Sequence, residues 1–315
     1  MGYSLSSERL PVPYDLSDKL VVAIASTALF DLEEADKIFR TSGLEAYRKH
    51  QREKENEMLP PGTGFSLVKG LLSINELAKE KLVEVVLMSR NDADSGYRIL
   101  NSIEHWRLGI ERAAFTDGNQ LPPYLQCFNC NLYLSTNRND VLRAIELRFP
   151  AALVYSPPSS VDLSPNPVRI AFDGDAVIFS DEADRVFKEK GLEGFQASEG
   201  ELSNVPLQPG PLHGFLEGLS RIQKKFPDDD KCPLRTALVT ARSIPSHKRP
   251  INTLRHWGIR LDESFFLGGI RKKDVLEVLK PHIFFDDQKA NLEPAKNIVP
   301  VAEVPAELDT AGERR

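Results

Sequence analysis

Arg169-Ile170-Ala171-Phe172-Asp173-Gly174-Asp175-Ala176-Val177 decides the fold. An apolar run ends abruptly in two aspartates separated by one glycine. A short apolar run without alternation suits a strand buried on both faces, and open parallel sheets bind ligands outside the carboxyl ends of their strands. Two carboxylates there suit Mg²⁺ binding, attack on phosphorus and proton transfer. The plain alternative is a solvated Asp-Gly-Asp turn. On this stretch alone the two readings stand level, and the rest of the chain has to separate them.

Working outward, the chain repeats itself. Ala35-Asp36-Lys37-Ile38-Phe39-Arg40-Thr41-Ser42-Gly43-Leu44-Glu45-Ala46-Tyr47 returns, 148 residues on, as Ala183-Asp184-Arg185-Val186-Phe187-Lys188-Glu189-Lys190-Gly191-Leu192-Glu193-Gly194-Phe195, with six of 13 positions identical. Unrelated segments would share about one. Leu59-Pro60-Pro61-Gly62 matches Leu207-Gln208-Pro209-Gly210 at the same offset. At an offset of 151, Ile103-Glu104-His105-Trp106 matches Leu254-Arg255-His256-Trp257, and Val85–Ser89 parallels Thr236–Thr240. In the second copy, strands are expected near 168–173, 235–240, 264–267 and 282–286, and helices near 181–190, 212–225, 247–257 and 271–279. Alternating strands and helices imply a mostly parallel sheet with right-handed crossovers. The expected organisation is an N-terminal tail over 1–17, a first α/β unit over 18–150, a Pro/Ser-rich link over 151–167, a second unit over 168–298 and a tail from 299 to 315.

The copies part company where chemistry would occur. Asp173 corresponds to Ala25 and Asp175 to Thr27; Asp286-Asp287 corresponds to Ser135-Thr136. Four acids in one copy are neutral in the other. Ordinary turn residues would not change together, so the second copy is expected to be the catalytic one and the first its degenerate twin. At the ends of the second copy's strands stand Asp173 and Asp175, then Thr240, then Lys272, then Asp286 and Asp287. A parallel sheet brings them all to one edge.

That ordered set resembles the haloacid-dehalogenase-like (HAD-like) phosphohydrolases. Phe172-Asp173-Gly174-Asp175-Ala176-Val177, Thr240-Ala241-Arg242, Phe266-Leu267-Gly268-Gly269 and Ile283-Phe284-Phe285-Asp286-Asp287-Gln288 are similar to the cytosolic type I 5'-nucleotidase family over roughly residues 18–298. The resemblance implies two tandem Rossmannoid units and Mg²⁺-dependent hydrolysis of nucleoside 5'-monophosphates, AMP or related purine nucleotides. Asp173 would be the nucleophile, forming an aspartyl-phosphate, and Asp175 the acid and base. Thr240, Ala241, Arg242 and Lys272 would bind the phosphate, with Thr240 and Lys272 stabilising charge in the transition state. Asp173, the Asp175 backbone carbonyl and the Asp286/Asp287 pair would hold Mg²⁺, with Asp287 favoured within the pair. Lys272 is chosen over Lys273 on its spacing after Gly268-Gly269, although the family more often follows with Gly-Pro where Lys273-Asp274 stands. Arg242 has two readings, substrate contact or pairing with a carboxylate. A phosphatase of another small ester, and a regulatory nucleotide-binding protein that keeps the fold, are the competing functions.

Composition agrees with a small-molecule enzyme. Hydrophobic residues make up 41% and charged residues 27% of 315, and the net charge is −6. That balance fits a soluble globular protein and speaks against a nucleic-acid-binding one. No apolar run approaches a membrane span. Three cysteines, an odd and low count, suit a reducing compartment, and so the cytoplasm. Cys127 and Cys130 have metal spacing without a second ligand pair, so buried thiols are expected. Met1–Ser6 fits the loose myristoylation pattern, which is short and common. Pro61-Gly62-Thr63-Gly64 lacks the Gly-Lys-Ser/Thr ending of a phosphate loop, and its counterpart at 209–210 makes it a helix opener. The repeated His-Trp pairs suit packing. A homo-oligomer is compatible with a paired, non-catalytic first copy.

Overall fold

A computed structural model describes residues 14–305 apart from 157–166, 227, 229, 230 and 245. The Met1–Ser6 pattern and most of the expected link lie outside the described residues. The described strands are β1 (Leu20–Ala25), β2 (Val83–Ser89), β3 (Arg112–Phe115), β4 (Leu132–Ser135), β5 (Ala151–Val154), β6 (Val168–Phe172), β7 (Leu234–Thr240), β8 (Glu263–Phe266), β9 (Ile283–Asp286) and β10 (Val301–Glu303). The helices are α1 (Ser26–Leu29), α2 (Glu33–Glu53), α3 (Phe65–Ala78), α4 (Tyr97–His105), α5 (Arg138–Glu146), α6 (Glu182–Glu201), α7 (His213–Lys224), α8 (Lys248–Trp257), α9 (Lys272–Leu279) and α10 (Lys289–Ala295). All ten strands join one sheet in the order β3-β2-β1-β4-β5-β10-β9-β6-β7-β8. The fold is thus α/β on a large, mostly parallel sheet.

The central strands are buried on both faces, which is why they read as unbroken apolar runs: Leu20-Val21-Val22-Ala23-Ile24-Ala25 is buried at every position. Pairing is parallel within each group of five and antiparallel only between β5 and β10. The two groups therefore run in opposite directions, and their carboxyl ends open on opposite edges of the sheet. One face carries a core common to both groups, in which Ile24 of β1 and Phe172 of β6 belong to one cluster with Phe65 and Phe215. The other face carries two separate cores, one around Tyr133 and one around Phe284.

Matching contacts recur in the two halves. The Leu59 N–H donates to Ser102 Oγ at 3.0 Å, as the Leu207 N–H donates to Thr253 Oγ1 at 2.9 Å. Arg98 Nε donates to the Glu57 carbonyl at 2.8 Å, as Arg249 Nε does to that of Val205 at 2.9 Å. Phe30 bridges Pro61 as Phe179 bridges Pro209. Gly62 and Gly210 allow these close passages: a Cβ would come within 2.8 Å of the Ala28 carbonyl oxygen in one and 2.3 Å of the Phe179 carbonyl oxygen in the other.

Three elements differ from expectation. The link expected over 151–167 opens with β5, and the tail expected from 299 opens with β10. The helix expected near 181–190 continues to Glu201, bending at Gly191, where φ is +67°. Gly43 bends α2 in the same way with a φ of +81°.

Candidate active site

The site starts where β6 ends. The Asp173 N–H donates to the Phe285 carbonyl at 2.8 Å, which fixes the last rung of the strand beside β9. The chain then makes one wide turn over Gly174–Ile178, with Ala176 left-handed at φ +58°. The Phe179 N–H closes that turn on the Gly174 carbonyl at 2.9 Å, and the Gly174 N–H donates to Asp173 Oδ1 at 2.7 Å. Local backbone bonding thus aims Asp173 and Asp175 out of the strand end while keeping both buried.

Lys272, the first residue of α9, reaches the same point. Its Nζ lies 2.7 Å from Asp173 Oδ1 and 2.7 Å from Asp286 Oδ2, and the side chain is 4% exposed. Lys273 is only half-buried. Asp286, the last residue of β9, also accepts the Gln288 N–H at 2.8 Å and both oxygens accept Asn291 Nδ2 at 3.2 Å. Asp287 is different: its Oδ1 is buried without a hydrogen-bond partner among the described residues. One carboxylate oxygen each from Asp173, Asp286 and Asp287 lie within 4.8 Å of one another.

Asp175 faces another way. Its two oxygens accept Arg242 Nε at 2.8 Å and Nη2 at 2.7 Å. Arg242 is itself buried, and its Nη1 donates to Glu199 and, at 3.3 Å, to the Ser246 carbonyl. Thr240 ends β7, with Oγ1 accepting the Arg242 N–H at 3.3 Å and lying 3.5 Å from where a Gly174 Cβ would stand. Ala241 follows and is exposed. Asp173, Lys272, Asp286 and Asp287 therefore form one cluster; Thr240 abuts its turn, and Asp175 adjoins it but is held by Arg242.

The electrostatics follow from one ammonium among three acids. Burial pushes the Asp173 carboxyl well above the usual carboxylate range; Lys272 opposes that rise and Asp286 adds to it. Burial also works against the Lys272 charge, but Asp173 and Asp286 outweigh it and hold the ammonium up. Asp287 is pushed up to about 7 by burial, then by Asp286 and Asp184. With all three ionised, the carboxylates would outnumber the one ammonium by two charges, which adds to the upward push of burial on Asp173 and Asp287. Hard oxygen donors, that charge deficit and the unpartnered Asp287 oxygen fit a divalent cation.

The equivalent edge of the first half carries hydroxyls. Thr27 Oγ1 lies 2.5 Å from Thr136 Oγ1, and Ser26 Oγ lies 3.2 Å from Ser89 Oγ. Leu121 stands 151 residues before Lys272 and is buried. An open cleft of about 1340 Å³ lies over these residues.

Sequence reasoning missed Asn291, Glu199 and Arg249. Their signal was available only by comparing copies: Glu199 corresponds to Gln51 and Arg249 to Arg98. Cys130 and Cys232 are buried, the Cys130 thiol being pushed up to about 12 by burial, while Cys127 is exposed. Trp106 and Trp257 pack: Trp106 Nε1 donates to the Leu59 carbonyl at 3.1 Å, and the Trp257 ring meets Phe179 and His213.

The profile of the family described as 5'-nucleotidase matches residues 12–311. Cytosolic 5'-nucleotidase 1B of Homo sapiens is 38% identical over 302 residues, covering 93% of this chain and 50% of that protein. The chain thus spans about half the length of that curated relative. Among solved structures, histidinol dehydrogenase from Elizabethkingia anophelis overlaps 90% of this chain and 52% of its own, with a TM-score of 0.23 and 10% identity, too slight a likeness to carry an argument. No described helix is long and apolar enough to cross a membrane.

Proposed function

The chain belongs to the 5'-nucleotidase family, and from that premise we propose that it hydrolyses nucleoside 5'-monophosphates, purine nucleotides such as AMP first among them, to nucleoside and phosphate. The observation that carries this reading is the cluster of buried Asp173 and Asp286 with half-buried Asp287 around Lys272, one Asp287 oxygen having no hydrogen-bond partner among the described residues.

Asp173 attacks phosphorus and forms an aspartyl-phosphate as the P–O5' bond breaks. Asp175 gives a proton to the departing 5'-oxygen and then takes one from the water that cleaves the acyl phosphate. Thr240, Ala241 and Lys272 meet the phosphoryl oxygens, and Lys272 also offsets charge as it builds in the transition state. Arg242, expected among the substrate contacts, acts behind Asp175. Mg²⁺, held by Asp173, Asp286, Asp287 and the Asp175 backbone carbonyl, would offset the charge of the incoming phosphate and orient it. Of the acidic pair, Asp287 is the better ligand because Asp286 already accepts from Lys272, Asn291 and Gln288.

The two groups of strands are tandem HAD-like units, bounded near 18–150 and 168–298, with the second catalytic and the first degenerate. Support comes from the recurring hydrogen bonds and from the replacement of Asp173, Asp175, Asp286 and Asp287 by Ala25, Thr27, Ser135 and Thr136 in the first unit. The cytosol is the compartment this reading implies, in keeping with three free cysteines and the name of the human relative.

The test is phosphate release from a panel of nucleoside monophosphates and sugar phosphates, with and without Mg²⁺. Release from AMP that needs Mg²⁺ is expected. Release only from sugar phosphates would move the substrate class, and no release from any ester would leave a binding protein.

A further inference from the structure

We propose that Glu199, backed by Arg249, is a positioning residue for the proton transfer assigned to Asp175; this rests on the nucleotidase reading above. Glu199 lies in the last turn of α6 and is 3% exposed, a degree of burial at which an acid is rare unless paired. Its two oxygens face two arginines. One takes Arg242 Nη1, and the other takes Arg249 Nη1 at 2.9 Å. Arg249 is anchored in turn by Glu182 at 2.5 Å and by the Val205 carbonyl at 2.9 Å. A line of alternating charge, buried except at its last member, thus runs Asp175, Arg242, Glu199, Arg249, Glu182. By occupying Nη1, Glu199 leaves Nε and Nη2, the flat edge of the guanidinium, to grip both oxygens of Asp175.

The first half shows that the fold does not require this acid. Position by position the line there reads Thr27, Asn91, Gln51, Arg98, Glu34. Gln51 Oε1 still accepts Arg98 Nη1, at 3.3 Å, and Arg98 still anchors on a backbone carbonyl. The far end of the line keeps its charges in both halves. The three members nearest the strand end, Asp175, Arg242 and Glu199, are charged together or neutral together. A buried carboxylate that served packing alone would not follow the catalytic acid in this way.

The step concerned is cleavage of the P–O5' bond. The Asp173 oxygen bonds to phosphorus, the electron pair of the breaking bond goes to O5', and O5' receives the Asp175 proton. A misaimed Asp175 slows this step most when the leaving oxygen needs that proton, and least when the leaving group is stable as an anion. Glu199→Gln installs the residue of the first half, so the fold should tolerate it. The experiment compares wild type and Glu199→Gln on AMP and on the analogue with sulfur in place of the bridging 5'-oxygen, as kcat/KM, with KM recorded separately. The expected result for AMP is a fall on the order of 10- to 100-fold, carried by kcat with KM nearly unchanged, with a much smaller fall for the thio analogue. Glu199→Asp, which keeps the charge, should recover part of the loss. Equal losses on both substrates, a loss carried by KM, or no loss on AMP would overturn the proposal. If wild type does not turn over the thio analogue, the division between kcat and KM on AMP decides alone. A wild-type enzyme that releases no phosphate from AMP would instead defeat the nucleotidase reading itself.

Discussion

At one edge of the sheet, hydroxyl faces hydroxyl; at the other, three carboxylates crowd one ammonium. Thr27 with Thr136 and Ser26 with Ser89 join the first edge by neutral hydrogen bonds, and beside them Asp140 is matched one to one by Arg90. Asp173, Asp286 and Asp287 around Lys272 leave the second short of positive charge. Matching bonds at Leu59 and Leu207, and at Arg98 and Arg249, hold the packing in both halves, although the chain leaves β1 through α1 and β6 through the wider Gly174–Ile178 turn. The charges are therefore an addition to a frame that stands without them, and their burial costs stability that the frame does not recover. Such groups are expected where function requires them.

The sharpest break in this comparison is Asp173→Asn. It should remove activity by a factor on the order of 10⁴ or more while leaving circular dichroism unchanged. Full turnover in that variant would end the nucleophile assignment. Next in size is Lys272→Leu, which installs the Leu121 of the first half. Its expected loss in kcat/KM is on the order of 10²- to 10³-fold, because the missing ammonium acts where charge develops. Steady-state kinetics on AMP would show it, and an unchanged rate would make Lys272 a packing residue.

A smaller effect concerns the cation. Asp287 sits at about 7 in the folded chain against an ordinary value of 3.8. Between those pH values the folded state binds more protons than the unfolded one, so this group's contribution to stability falls as pH rises from about 4 through 7. A cation takes the ionised form and reverses that penalty. Mg²⁺ affinity, measured by melting shifts, should be about tenfold weaker at pH 6 than at pH 8. The opposite slope would remove Asp287 from the ligand set. The smallest effect is expected from Ala25→Asp with Thr27→Asp, which returns two acids to the first edge without Lys272 or the Asp286 pair. Turnover should stay at the wild-type level, and Mg²⁺ titration should reveal no second site. A second bound ion would show that two acids alone complete the frame.

The central strands were legible because burial on both faces leaves unbroken apolar runs such as Ile170-Ala171-Phe172. The meeting of Asp173, Asp286 and Asp287 was legible because each sits at or just past a strand end and has a changed partner in the other copy, and that of Lys272 because it follows Gly268-Gly269 after β8. β5 and β10 were not. Val301–Glu303 is three residues long between Pro300 and Pro305, and nothing local marks it as a strand. Its partners at Val154 and Leu153 lie almost 150 residues away. Glu199 was hidden for a related reason: a charged residue in the last turn of a helix ordinarily faces water. Only the arginines brought from 43 and 50 residues further along give it a buried role.

β10 also imposes an order on how the chain can be made. It fills the gap between β5 and β9, its Ala302 pairing with both Val154 and Phe285, and Arg138 and Tyr155 bind Glu303 from the other half. Until the ribosome has released residues 301–303, β9 and β5 each present an open, apolar edge. The strand that carries Asp286 is thus among the last to be sealed, and the nascent chain passes through a stage exposed to mispairing with its neighbours.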